Sequence, residues 1–152
     1  MTEALAAAKR LCAERGVRLT DIRLRVLELV WRSHQPAGAY DVLKELTKER
    51  SSAVPPTVYR ALDFLLAQGL VHRIESRNAY LGCARPGERH CSHFLICRNC
   101  GTAIEFSGQG IDEAIEDSAA KCGFLVENDT VEVIGICAHC RSEAPGGKQH
   151  HG

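Results

Sequence analysis

Four cysteines stand in two identical spacings, Cys97-Arg98-Asn99-Cys100 and Cys137-Ala138-His139-Cys140. A C-x-x-C knuckle lets both thiolates of a pair reach one metal. Two knuckles complete the tetrahedral set of four thiolates that structural Zn2+ prefers. Gly101, just behind the first pair, suits such a tight knuckle. The pairs are separated by 36 residues, enough for a strand-helix-strand unit, so a metal would staple the two ends of one domain. A closed four-cysteine site keeps no open coordination position and is therefore structural rather than catalytic. In a small domain such an ion supplies folding free energy directly. For one pair alone, a redox motif or an unrelated buried thiol is the plainer alternative. Two pairs, each at an expected strand end, favour zinc.

A second group of potential ligands does not belong to the first: His72, Cys83, His90, Cys91, His93 and Glu105. His72 and Cys83 fall on the two strands of an expected hairpin. His90, Cys91 and His93 fall in the connection and first strand beyond it, and Glu105 on the next strand. Each has a bland alternative, since a lone histidine is usually a surface or satisfied core residue and Glu105 can simply face water. Spacing does not choose four ligands from these six. A metal bound by residues on both sides of the connection, from the hairpin and from the strands beyond it, would fix the relative angle of the two expected domains, which is the physical requirement for a sensor.

The elements that must carry these residues follow from apolar periodicity and its breakers. Helices are expected at 3–15, with Gly16 as its end, at 21–33 behind the N-cap Thr20, at 39–49, and at 56–68, where Pro56 fits the first turn and Gly69 ends the run. Short strands at 70–75 and 79–83 are joined by a turn at Ser76-Arg77-Asn78. This order, helices followed by a β-hairpin, is that of a winged helix-turn-helix. Beyond it come strands at 93–97 and 102–106, a helix at 110–122 stopped by Gly123, and a β-rich stretch covering 124–126 and 131–136. The expected fold class is α+β: a winged helix-turn-helix domain at 1–83, a hinge at 84–90, a metal-binding α/β domain at 91–142, and a disordered tail at 143–152.

Composition agrees with two kinds of work in one chain. Of 152 residues, 45% are hydrophobic, enough for genuine cores. The net charge of zero hides an asymmetry: residues 1–80 hold thirteen Lys/Arg against nine Asp/Glu, and the remainder six against ten. Seven of the eight cysteines lie in the acidic remainder; Cys12 is the exception. No apolar run is long enough to span a bilayer, and the start does not read as a signal peptide, so a cytoplasmic protein with reduced thiols is expected.

At Pro55-Pro56-Thr57-Val58-Tyr59-Arg60-Ala61-Leu62 the sequence resembles the ferric uptake regulator superfamily, whose recognition helix carries Thr-Val-Tyr-Arg. The resemblance continues through Arg18-Leu19-Thr20, Ala39-Tyr40-Asp41-Val42-Leu43, Phe94-Leu95-Ile96-Cys97-Arg98-Asn99-Cys100-Gly101 and Gly135-Ile136-Cys137-Ala138-His139-Cys140, roughly residues 4–141. Val71-His72-Arg73-Ile74-Glu75-Ser76, Tyr80-Leu81-Gly82-Cys83 and the double proline are most similar to its zinc uptake branch.

The resemblance implies two Zn2+ per protomer, one structural at the four cysteines and one regulatory at His72, Cys83, His90 and Glu105, with His93 as the alternate to His90. It implies a homodimer that lays helix 56–68 in the major groove of double-stranded operator DNA. Arg60 would meet a base or phosphate, Tyr59 and Tyr40 thymine methyls or phosphates, Thr57 the DNA beside them, and Arg23 and Arg77 phosphates, with core packing as the plainer alternative for Tyr59. Zinc-loaded, such a protein would bind promoters of zinc-uptake genes and repress them, with no membrane partner and no small organic substrate. Independently, a set containing the Cys83 thiolate favours Zn2+ over Fe2+ or Mn2+.

The alternatives are an iron- or peroxide-responsive member of the same superfamily and a non-regulatory zinc-ribbon interaction module. An enzyme is disfavoured. A zinc deaminase needs His-x-Glu beside an open zinc position, and no His-x-Glu occurs.

Overall fold

A computed structural model describes residues 2–32, 35–87 and 92–143. The chain divides into two compact units, Met1–Arg89 and His90–Gly152. His90, Cys91 and the tail from residue 144 onward lie outside the described residues.

The first unit opens with α1 (Thr2–Glu14) and α2 (Asp21–Arg32), followed by β1 (Ala37–Gly38), α3 (Ala39–Glu49) and α4 (Pro55–Ala67). It closes with the hairpin of β2 (Val71–Ile74) and β3 (Ala79–Gly82). Thr20 acts as expected at the head of α2, its hydroxyl accepting from the Arg23 amide at 3.4 Å. Helix α4 begins one residue earlier than expected, at Pro55, because both prolines fit the first turn, where no amide is needed. Its far end turns away at Gly69, which adopts φ 65°. One face of each helix turns inward. Ala8, Cys12, Val26, Leu27, Val30, Val42, Leu46, Val58, Leu62 and Leu65 form one continuous core with Leu70, Val71 and Tyr80 of the wing.

Strands β1, β3 and β2 form an antiparallel sheet in that order. The short strand β1 lies between two expected helices, where the sequence predicts no strand. It pairs Ala37 with Tyr80 and Gly38 with Ala79 and ties the start of α3 to the wing. Between β2 and β3 the chain makes a 3-10 turn at Glu75–Arg77 and passes through Asn78 at φ 46°. Asparagine tolerates that left-handed conformation better than most residues.

The second unit has β4 (Ser92–Cys97), β5 (Ala103–Phe106), α5 (Gln109–Lys121), β6 (Thr130–Gly135) and α6 (Ala138–Glu143). Strand β4 is central, antiparallel to β5 and parallel to β6. The α5 crossover is what a parallel return requires. Residues 124–126, expected to be β, are not in a strand, and Phe124 and Leu125 are exposed. The partner strand explains the difference: the parallel ladder runs from Ser92↔Thr130 to Cys97↔Gly135 and leaves 124–126 nothing to pair with. Helix α6 is an addition to the expected elements, and Glu143, expected to begin the tail, is its last residue. The core here is thin. Among the described residues of this unit, His93, Phe94, Ile96, Cys97 and Ala103 are buried. A unit of this size is marginal by itself, so a metal or a second subunit would add to its stability.

Candidate metal centres and DNA-reading face

The four cysteines of the two knuckles converge. The sulfurs of Cys97, Cys100, Cys137 and Cys140 all lie within 4.8 Å of one another. Cys97 ends β4, Cys100 follows it across a tight turn, and Cys137 and Cys140 bracket the start of α6 just past β6. The parallel register pairs Cys97 with Gly135, two residues before Cys137, and so brings the knuckles together. Sγ of Cys100 and Sγ of Cys137 are 3.7 Å apart. A disulfide requires about 2.05 Å. A tetrahedron of sulfurs at about 2.3 Å from zinc has edges of about 3.8 Å. The spacing therefore fits a metal site and not a disulfide.

The electrostatics agree. Amide hydrogens of Cys100 and Cys137, in that order of effect, hold the Cys97 thiol down at about 6. The Cys137 amide donates to Cys97 Sγ at 3.3 Å. Cys100 is also lowered, chiefly through Thr102. Cys140 is pushed up to about 12, first by its interaction with the Cys137 sulfur and then by burial and the other thiols. Four thiolates cannot all ionise side by side without a cation. A dication would resolve that conflict, and a closed set of four sulfurs could hold it as a structural site.

The wing carries a second pair of ligand types. His72 lies in β2, half-buried, and Cys83 follows β3, buried. A His72 ring nitrogen and Cys83 Sγ approach within 4.8 Å. The register explains it: Val71 pairs with Gly82 and His72 with Leu81, and the Cys83 amide donates to the Leu70 carbonyl at 3.0 Å. In the second unit Glu105 lies in β5, half-buried, opposite Phe94 of β4.

His93, considered as the alternate to His90, has other company. It is fully buried, and its Nε2 is 2.6 Å from Asp112 Oδ1 at the start of α5. One ring nitrogen of His93 and one oxygen each of Asp112 and Asp129 lie within 4.8 Å of one another. Asp112 and Asp129 were not singled out by the sequence. Only the α5 crossover and the parallel β4–β6 pairing bring them to His93.

The DNA-reading candidates lie on the outer side of the first unit. Tyr59 and Arg60 of α4 are exposed, while Val58, Leu62 and Leu65 face the core. Core packing is thereby excluded for Tyr59, which keeps 49% of its surface accessible. Thr57 is half-buried in the first turn. Tyr40 projects from the first turn of α3 at 80% exposure, and Arg77 sits exposed at the wing tip. Arg23 is held in place: its guanidinium lies 3.7 Å from the Phe64 ring centroid and donates to the Arg18 carbonyl at 2.6 Å. Exposed tyrosines and guanidinium groups are side chains suited to phosphate and base contact.

The model of the ferric uptake regulator family matches residues 14–134. The chain belongs to the ferric uptake regulator family. It is a transcription regulator of that family and not an enzyme. The zinc uptake regulation protein of Escherichia coli K12 is 44% identical to this family member over 91% of this chain and 81% of its own length. A structure of a zinc uptake regulator complexed with zinc and DNA matches at 43% identity and TM-score 0.89, covering 93% of this chain and 95% of that one. Holo XcZur matches at 41% identity and TM-score 0.84, covering 93% and 99%. Among the described residues, no helix is long and apolar enough to cross a membrane.

Proposed function

We propose that this protein is a zinc-responsive repressor of the cytoplasm that, zinc-loaded, binds operator DNA of zinc-uptake genes as a homodimer. The observation that carries the proposal is the meeting of His72 and Cys83 on the wing, outside the four-cysteine cluster. A thiolate and an imidazole there form a zinc-preferring pair on the DNA-binding unit itself. A peroxide sensor needs redox-active iron in a harder N/O set, and the Cys83 thiolate disfavours it.

Each protomer holds two zinc ions. The structural ion takes Cys97, Cys100, Cys137 and Cys140. The regulatory ion takes His72, Cys83, His90 and Glu105. His93, bound to Asp112, is not needed for this set. Zinc supplies a charge that draws these donors together and so selects the arrangement competent for DNA. Arg60 and Tyr59 then read the groove, supported by Thr57 and Tyr40, while Arg23 and Arg77 hold phosphates.

An apolar stripe supports the homodimer. Leu95, Ile104 and Val133 lie side by side across β4, β5 and β6 at 45%, 53% and 46% exposure. They line a groove of about 310 Å3 with Ile136. A contiguous apolar face on a unit with so thin a core marks an interface, and a second copy of the same face is its occupant.

Zinc-titrated gel shifts and circular dichroism on two variants test the proposal. Cys83→Ser gives a folded dimer whose DNA affinity no longer rises with zinc. Cys97→Ser loses folding or dimerisation. Indistinguishable behaviour of the two variants overturns the division between structural and regulatory ions.

A further inference from the structure

Trp31 is the only tryptophan in the chain. It lies in the last turn of α2, half-buried, packed against the core of the first unit. Its indole lies flat on the backbone of Gly82, the last residue of β3. A Cβ added at Gly82 would fall 2.4 Å from Cε2, 2.6 Å from Nε1 and 2.7 Å from Cδ2 of that ring. Any side chain at position 82 would occupy the space of the indole. The two residues are therefore matched: the glycine leaves a flat strand end, and the ring fills it.

Gly82 is not an arbitrary place on the wing. It precedes Cys83 and pairs with Val71, the residue before His72. The Cys83 amide in turn donates to the carbonyl of Leu70, just before β2, at 3.0 Å. The strand ends that present both donors are thus clamped, by a hydrogen bond from β2's side and by an aromatic plate from α2. Close-packed interiors transmit small displacements rather than absorbing them. A shift of Gly82 moves the sulfur that follows it.

We infer that Trp31 is a positioning residue for the wing's metal pair, its indole holding Gly82 so that Cys83 Sγ stays within reach of His72. The proposal rests on His72 and Cys83 being ligands of the regulatory zinc. Outer contacts of metal ligands typically alter affinity by 10–100-fold when changed. Because the ring sits one residue from a ligand, its fluorescence also reports on that ion.

The test uses the full-length protein with its tightly held zinc retained and the labile ion replaced by Co2+, whose thiolate charge-transfer band reads sulfur ligation. Gly82→Ala weakens Co2+ binding roughly tenfold or more and shifts the band, with far-UV circular dichroism and the retained zinc unchanged. Trp31→Leu alone, which removes the plate and adds no clash, also weakens Co2+ binding and shifts the band, whereas Trp31→Phe, which keeps a flat ring over Gly82, retains most of the affinity. Co2+ quenches Trp31 emission in the otherwise unaltered protein and not in Cys83→Ser, a readout that does not depend on the folding of Gly82→Ala. If Cys83→Ser abolishes the thiolate band while Gly82→Ala binds Co2+ within twofold of the parent, the ligands stand and the positioning role is wrong. If Cys83→Ser keeps the band unchanged, the ligand assignment and this inference both fall.

Discussion

Sγ of Cys100 and Sγ of Cys137 stand 3.7 Å apart although 37 positions separate the two residues in sequence. The distance is about the edge of a zinc–thiolate tetrahedron. The thin core of the second unit makes that join consequential, because the sheet has little else to close it. Cys100→Ser should therefore remove the structural ion and leave the second unit without a stable fold. Circular dichroism and zinc analysis of the purified variant check this. A fully folded dimer with one zinc fewer would refute it.

Acid should release the same ion. Amide donors hold the Cys97 thiol at about 6, below the ordinary thiol range. A depressed acid favours the fold when ionised. Its contribution is present above the ordinary thiol value and is lost as pH falls through about 6. Protons then compete with zinc for every sulfur. Zinc released to an indicator dye should be negligible at neutral pH and rise only at pH values below about 6, since bound zinc keeps the thiolates ionised beneath their metal-free value. Release that is flat across this range would show that thiolate protonation does not limit the site.

Removal of exposed guanidinium groups should act on DNA without touching the fold. Arg60→Ala is expected to cost about 1–3 kcal/mol of discrimination between operator and mismatched DNA. Arg77→Ala, at the wing tip, should weaken binding to all sequences and lower the salt slope by about 1. Fluorescence anisotropy at several salt concentrations separates the two effects. Equal losses on operator and random DNA for Arg60→Ala would move it to the phosphate class.

The inner face of the same helix should behave in the opposite way. Leu62 is fully buried, with Val58 and Leu65 on the same side. Leu62→Ala should destabilise the first unit by about 2–5 kcal/mol. Urea unfolding gives that number, and the zinc content of the second unit should be unaffected.

Much of this was legible because the informative residues are local. Two C-x-x-C pairs announce a metal before any fold is known, and Pro55-Pro56 fixes the head of α4 to within one residue. Tyr59 was legible on the outside because its neighbours Val58 and Leu62 keep helical spacing. Residues 124–126 mislead because Phe124, Leu125 and Val126 have strand propensity but no partner, since β4 is spent on Thr130–Gly135. The grouping of His93 with Asp112 and Asp129 was hidden for the opposite reason. It depends on a crossover and a parallel register that no short window contains. The match of Trp31 to Gly82 likewise needs α2 laid against β3, which periodicity alone does not orient.

The central claim is that structure and sensing are divided between two ions. Counting zinc per protomer before and after brief exposure to a mild chelator, with operator binding measured on the same samples, tests it most directly. The account predicts two ions, one of them lost to the chelator together with operator binding while the dimer stays folded. A single ion that resists the chelator, with operator binding unchanged, would contradict it.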